Sequence, residues 1–203
     1  MRNDLARRLF TLVLIVCLLW LTVLCAFGKT LMRLNAEIRH PRQNESIFLE
    51  HRADGVIYIG GEGELHGDDM MALIEGEGNK NDVTDLIIGD GITSLGFNAM
   101  CQFESLRTLW LGRDMKSVSN GAIRECTSLM YVFVPQGLSL AGKDFLYSCN
   151  NCTVVTDGNV EKLPKMKNVS RKNVLGNVDS YEAMVAACGE GVTLPEALKQ
   201  WWQ

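Results

Sequence analysis

Cysteines have the spacing in this chain that most suggests chemistry. Seven are present, and Cys149-x-x-Cys152 has the spacing of thiol redox sites and of zinc ligand pairs. Zinc would need two more ligands, yet His40, His51 and His66 lie at no ligand spacing. Because both cysteines fall in apolar columns of a repeat, described below, we expect them to be small buried residues. A disulfide and a thiol redox enzyme are the alternatives.

Other catalytic and ligand-binding motifs are missing from the sequence. It contains no Ser-His-Asp pattern, no H-E-x-x-H, no Walker A motif and no dinucleotide fingerprint. The stretch GGEGELHGDD is glycine-rich like a phosphate loop, but its glutamates would repel phosphate. Acidic turns at residues 67–69 and 89–91 lack the spaced ligands of an EF-hand. We therefore expect a protein that is not an enzyme, with no metal and no cofactor.

Charge and composition narrow the class of partner. The 203 residues include 20 Lys and Arg against 24 Asp and Glu, a net charge of −4. A nucleic-acid binder needs a clustered excess of basic residues to displace counterions from phosphates, so that class is excluded. Apolar residues form 47% of the chain, too many for a disordered protein.

An uncharged apolar segment at residues 9–28 accounts for much of the mean hydropathy of +0.04. As a helix with a rise of about 1.5 Å per residue, twenty residues span a hydrocarbon core of about 30 Å. Arg7 and Arg8 precede the segment and Lys29 follows it. We interpret it as a single-pass transmembrane signal anchor. A cleavable signal peptide is the alternative, because Ala26 and Gly28 suit a cleavage site.

The topology expected from this anchor places the bulk of the chain outside the cytoplasm. Basic residues on the two sides of the segment balance, so the expectation rests on the short N-terminus, residues 1–8, staying in the cytoplasm. Residues 1–28 hold three basic residues and one acidic residue, so the remainder has 17 against 23 and a net charge of −6. Residues 29–52 form a stem, in which Pro41 ends the extended helix.

A repeat of 23 residues organises the middle of the chain. One apolar column holds Val83, Leu106, Leu129 and Cys152 at that spacing without a gap. Further columns follow it: Leu86, Leu109, Val132 and Val155; Ile88, Leu111 and Val134; Ala99, Ala122 and Phe145; Met100, Ile123 and Leu146; Phe103, Cys126 and Cys149.

This period indicates a solenoid. L-x-x-L-x-L forms a short strand with alternate side chains in a shared core, and the apolar positions i, i+1 and i+4 predict one helical turn on the opposite wall. Stacked coils need caps at their ends. We expect the hairpin at residues 55–65 to be the N-terminal cap.

The repeat resembles leucine-rich repeats, and among them the BspA-like class of bacterial surface proteins. The residues that carry the resemblance are DGITSLG at 90–96, AMxxFxSLxxLxL at 99–111, AIxxCTSL at 122–129 and the DGVIYIGGEGE segment before them. The resemblance implies an α/β leucine-rich repeat solenoid, mainly β, of about three 23-residue coils, and a role in adhesion or protein binding. Gly91, Asp114 and Gly137 replace the Asn of the general leucine-rich pattern, which argues against an Asn ladder.

The predicted domains are therefore the N-terminus 1–8, the anchor 9–28, the stem 29–52, the repeat domain 53–158 and a C-terminal segment 159–203. That last segment starts as a basic linker and continues as two short helices, for which DSYE at 179–182 and TLPE at 193–196 fit capping boxes. Gly189 would end the first helix. The apolar residues that should dock elsewhere are Met184, Val185, Cys188, Leu194, Leu198, Trp201 and Trp202.

The outward positions of the strands are the candidate binding site. Adjacent coils place Trp110, Tyr131 and Phe133 side by side, with Ile87 and Arg107 next to them. An exposed aromatic patch of this kind is typical of surfaces that bind a partner, here a protein or a glycan. In the alternative interpretation the C-terminal helices or the stem cover the patch, and the protein is a scaffold without a ligand.

Overall fold

The computed structural model describes residues 2–52, 56–166, 173–188, 194 and 199, with side chains from residue 13 onward except residue 36. The helices are α1 (Arg2–Arg39), α2 (Gly67–Glu77) and α3 (Tyr181–Cys188). The strands are β1 (Phe48–His51), β2 (Ile57–Gly60), β3 (Gly63–Leu65), β4 (Asp85–Ile88), β5 (Ile92–Leu95), β6 (Met100–Cys101), β7 (Thr108–Trp110), β8 (Ser117–Val118), β9 (Ile123–Arg124), β10 (Tyr131–Phe133), β11 (Leu140–Ala141), β12 (Leu146–Tyr147), β13 (Thr153–Val155) and β14 (Val174–Leu175).

The strands form three sheets that the chain visits in turn. One sheet has the order β1-β2-β4-β7-β10-β13-β14, a second has β11-β8-β5-β3 and a third has β12-β9-β6. Every pair is parallel except β1 with β2. The result is a mainly β solenoid of about four turns, which confirms the prediction of a mainly β solenoid.

The apolar columns of the repeat form the inner core. Leu86 pairs with Leu109, and Leu109 pairs with Val132, each at the predicted spacing of 23. These residues are fully buried in one hydrophobic cluster. The next coil is one residue shorter, because Val132 pairs with Val154. The prediction that Val155 continues this column is wrong.

The N-terminal cap differs from the predicted hairpin at residues 55–65. Strands β2 and β3 lie in different sheets and pair in parallel with β4 and β5, so they form the first turn of the solenoid. The antiparallel hairpin is formed by β1 and β2, and its loop, residues 53–55, lies outside the described residues. Gly61 makes the corner with φ +129, where a Cβ atom would lie 2.6 Å from the carbonyl oxygen of Ser46.

The wall opposite the large sheet is also extended, so the predicted helical turn is wrong. It consists of the two-residue strands β6, β9 and β12. A residue in the left-handed region follows closely each time: Gln102 (φ 58), Glu125 (φ 56) and Ser148 (φ 56), again 23 residues apart. A right-handed helical turn cannot continue through such a residue, and the chain turns the corner there instead.

Carboxylates at the turns between sheets connect neighbouring coils in place of an Asn ladder. Asp90 accepts a hydrogen bond from the backbone N–H of Arg113 at 2.7 Å, and Asp114 accepts one from Gly91 at 3.1 Å. Asp157 accepts one from Gln136 at 2.8 Å. Aspartates therefore satisfy the backbone donors at the edges of the coils.

Helix α1 runs unbroken from the apolar segment into the stem and ends two residues before Pro41. Its last turns pack on α2: a Cβ atom at Gly76 would lie 3.3 Å from Cγ of Arg33, and His40 Nε2 lies 3.5 Å from Oε1 of Glu75. Helix α2 itself closes the N-terminal end of the core with Met70, Leu73 and Ile74.

Candidate interaction surfaces

The predicted strand-face residues lie in register on neighbouring strands. Ile87 pairs with Trp110, and Trp110 pairs with Phe133. The indole and phenyl rings are stacked, with centroids 4.7 Å apart and an interplanar angle of 22°. The structure therefore brings these three side chains together as the sequence predicts.

This face is covered by the C-terminal segment. Trp110 and Phe133 are 1% exposed and Ile87 is 4% exposed. They belong to a second hydrophobic core whose fully or mostly buried members are Val56, Ile87, Trp110, Phe133, Val155, Val178, Met184, Cys188 and Leu194. The expectation of an open aromatic patch is thus wrong for this structure, and the alternative of coverage by the C-terminal segment matches it.

The two remaining predicted residues, Tyr131 and Arg107, lie at the margin of the cover. The Tyr131 hydroxyl donates to the carbonyl oxygen of Cys188 at 2.8 Å, and burial raises the pKa of this tyrosine. Arg107 is exposed. A role for these five residues in binding a partner stays a prediction.

The N-cap of α3 is Ser180 and not the predicted Asp179. Its hydroxyl oxygen accepts the backbone N–H of Ala183 at 3.1 Å. The Tyr181 hydroxyl donates to the carbonyl oxygen of Leu194 at 3.0 Å, which ties the following segment to the helix. Gly189, Leu198, Trp201 and Trp202 lie outside the described residues, and so do all residues of the second predicted helix's capping box at 193–196 except Leu194.

A sequence signal for this cover exists in the strands. Parallel strands that are buried on both faces are near-continuous apolar runs, whereas strands with one wet face alternate. The segments LII at 86–88, LWL at 109–111 and VFV at 132–134 are such runs. These runs therefore predict that the strands are buried on their outer face as well as on their inner face.

The thiols of Cys149 and Cys152 are buried as expected. All seven cysteines are free, and Cys149 and Cys152 are 8% and 5% exposed in the inner core. Interaction between the neighbouring thiols of Cys126 and Cys149 raises the pKa of Cys126 and lowers that of Cys149, while burial raises the pKa of Cys152. Among the described residues, no group of three or more His, Cys, Asp or Glu side chains is placed to hold a metal ion.

Two exposed aromatic rings that sequence reasoning missed lie at the third sheet, one in the turn that leads into β6 and one on β12. Phe97 is 59% exposed and Tyr147 is 46% exposed, and the guanidinium of Arg124 lies 6.0 Å and 5.6 Å from their ring centroids. Phe97 also lines a pocket of about 390 Å³ at the N-terminal end of α2. The sequence signal was present in the repeat, because Arg124 and Tyr147 occupy one outward column on this wall.

A second, smaller pocket of about 250 Å³ lies at the opposite end of α2. Leu49, Ile57 and Ile74 form its apolar floor, and Glu77 and Asp82 lie at its rim.

Comparisons with known proteins identify one distant likeness. No protein-family profile matches the chain, and no curated protein matches it. Among solved structures, the chain is similar to the crystal structure of a leucine-rich repeat protein from Eubacterium ventriosum, with 12% sequence identity and a TM-score of 0.36. The match covers 56% of this chain and 42% of that protein.

One helix of the described chain is long and apolar enough to cross a membrane. The most apolar 18-residue window of the segment Val13–Arg39 has a mean hydropathy of 2.2, and none of that window is buried against the rest of the protein. The core helix of a soluble protein would be largely buried, so that explanation does not fit. A membrane anchor and a signal sequence both fit this length and composition.

Proposed function

We propose that the chain is a membrane-anchored interaction scaffold, a leucine-rich-repeat-like solenoid with its strand face closed by its own C-terminal segment. The observation that carries the proposal is the second hydrophobic core, in which Trp110 and Phe133 pack together with Met184 and Cys188. A solenoid presents extended walls to solvent, and a covered strand face leaves the other walls for partners. Membership of the BspA-like class and a place at the cell surface belong to the same proposal.

Anchoring is supported by the exposed apolar side chains of α1. Leu18, Leu19 and Trp20 are 56%, 59% and 65% exposed, and their neighbours along the helix are similar. A bilayer would surround the helix and remove this apolar surface from water. Protease treatment of intact cells tests the proposed topology: digestion of the solenoid supports an extracytoplasmic domain, and protection until lysis contradicts it.

A second candidate function is binding of a protein or glycan partner to the strand face after the C-terminal segment has moved away. Helix α3 has eight residues, fewer than the roughly 12 to 15 that an isolated helix needs for stability in water. Its position therefore depends on packing against the strand face, and a competing partner that offers the same apolar contacts could displace it.

Adjacent residues of α3 provide a matched test of the cover. Met184 is fully buried against the strand face, while Val185 is 38% exposed. Met184→Asp should release the segment, because an uncompensated buried carboxylate is costly, and hydrophobic dye binding should rise without loss of β-structure. Val185→Asp should leave both signals unchanged.

The same pair of variants separates the two candidates. If Met184→Asp exposes the face and the protein then captures a partner that Trp110→Ala abolishes, the strand face is a regulated binding site. If dye binding does not rise in Met184→Asp, the proposed cover is contradicted.

A further inference from the structure

We propose that the pocket beside α2, together with the exposed rings of Phe97 and Tyr147, binds a neutral oligosaccharide. The inference rests on the proposed function only in treating the solenoid as a scaffold that presents its outer walls. It concerns a different surface from the strand face, and its test does not require the C-terminal segment to move.

The pocket has a suitable size and lining. Its volume of about 390 Å³ lies in the range of about 300 to 1,000 Å³ that is usual for small-molecule sites. Phe97 and Met71 supply apolar surface, and the amide side chains of Gln43, Asn98 and Gln102 supply donors and acceptors. Several neutral hydrogen-bonding groups next to an aromatic ring match the hydroxyls and the C–H face of a sugar.

The exposed rings of Phe97 and Tyr147 form the platform of the proposed site. Phe97 lies on the backbone of the next coil, where a Cβ atom at Gly121 would come within 3.0 Å of the ring. Tyr147 lies beyond Arg124, since β9 and β12 pair with Arg124 opposite Tyr147. A ring with one face against the protein and the other in solvent is suited to stack against the C–H groups of a pyranose.

The charges near the platform are balanced. Arg124 pairs with Glu125 at 2.7 Å, and Glu125 also accepts a hydrogen bond from Gln102 at 2.9 Å. Among the residues that line the pocket, the positive charge of Lys80 is balanced by the negative charge of Asp68. A phosphate, a sulfated polysaccharide or an acidic peptide would need an excess of positive charge, so the balance favours an uncharged ligand.

A peptide partner is the less favoured occupant of this surface. Peptide anchors are large apolar side chains in desolvated pockets. Here Gln102 and the Arg124–Glu125 ion pair interrupt the apolar surface between Phe97 and Tyr147, so the surface offers no continuous apolar pocket for a bulky side chain.

The experiment uses the full chain in phosphatidylcholine nanodiscs and isothermal titration calorimetry. The probes are maltohexaose, cellohexaose, mannohexaose and N-acetylchitohexaose, with a heparin hexasaccharide and an aromatic tripeptide as competing classes. We expect at least one neutral hexasaccharide to bind and Phe97→Ala to weaken it about tenfold or more. Leu140→Ala, which changes a residue 68% exposed on another sheet, is the control and should leave the affinity unchanged.

Two outcomes of this titration overturn the proposal. One is that none of the neutral saccharides binds at millimolar concentration; the other is that only heparin or the tripeptide binds. Repeating the titration with Met184→Asp separates this site from the strand face, because saccharide affinity at the pocket should be the same with the C-terminal segment released. A saccharide that binds only after release belongs to the strand face and contradicts the pocket.

Discussion

Trp110 shows at the scale of one residue how an outward strand position can become part of a core. The alternation of the strand directs its side chain away from the inner core, but α3 and the following segment cover it. The sequence predicts the neighbours of Trp110 in the stack correctly because the 23-residue period sets the strand register. The continuous apolar runs of the strands indicate that the outer face is buried, but they do not distinguish a partner from the chain's own C-terminal segment, because both bury the same apolar side chain.

Trp110→Ala is expected to destabilise the fold strongly. Removal of a fully buried aromatic side chain leaves a cavity and costs about 3 to 5 kcal/mol. Urea unfolding followed by circular dichroism measures the loss. Arg107→Ala, an exposed residue just before the same strand, should change the unfolding free energy by no more than about 0.5 kcal/mol. A loss of similar size in both variants would contradict the covered face.

Native thiol labelling should follow burial. With a charged maleimide at pH 8, half-exposed Cys101 should react within minutes, whereas Cys149 and Cys152 should react only after denaturation. Burial raises the pKa of Cys188 to about 11, so its thiolate fraction, and with it any labelling, should rise about tenfold per pH unit between pH 8 and 10. Mass spectrometry of tryptic peptides gives the individual rates. Rapid labelling of Cys149 in the native protein would contradict this prediction and support the alternative of a thiol redox enzyme.

The predictions agree with the structure for features that depend only on which side chains are buried. They fail for features that depend on backbone conformation. Apart from Val155, the inner columns are correct, because an apolar residue every 23 positions needs a common core. The helical turn is wrong because Gln102, Glu125 and Ser148 have left-handed backbone angles. Gln, Glu and Ser in a sequence do not indicate a positive φ, whereas Gly or Asn at these positions would indicate one.

Ser148→Gly is expected to stabilise the solenoid. Ser148 has φ 56 and an exposed side chain, and glycine occupies the left-handed region without the penalty of about 1 kcal/mol that other residues meet there. Thermal unfolding should show a higher melting temperature. Ser128→Gly, exposed and without a positive φ, should lower stability slightly, because glycine only adds freedom to the unfolded chain. An equal decrease in both variants would contradict the predicted effect.

At the scale of the whole molecule, the apolar helix and the solenoid are one continuous structure. Asp69 in the first turn of α2 is fully buried, and its Oδ1 accepts the backbone N–H groups of Gln43 and Asn44 at 2.6 and 2.9 Å. Its Oδ2 accepts the N–H of His66 at 2.9 Å. One carboxylate thus caps α2 and holds the linker that follows α1. The sequence places Asp69 in an acidic turn and gives no sign of this role, because its partners are backbone groups 25 and 26 residues away.

Asp69→Ala is expected to uncouple the apolar helix from the solenoid. Three backbone N–H groups lose a charged acceptor that is itself buried, at a cost of about 2 kcal/mol. Hydrogen exchange should become faster at Gln43, Asn44 and His66, while the inner strands keep their protection. Asp69→Asn should be intermediate, because the amide oxygen can still accept from the linker. Asp68→Ala, which alters the exposed neighbour, should leave exchange at the linker unchanged. Unchanged exchange in Asp69→Ala would mean that the packing of α1 on α2, at Arg33 and Gly76, holds the two parts together by itself.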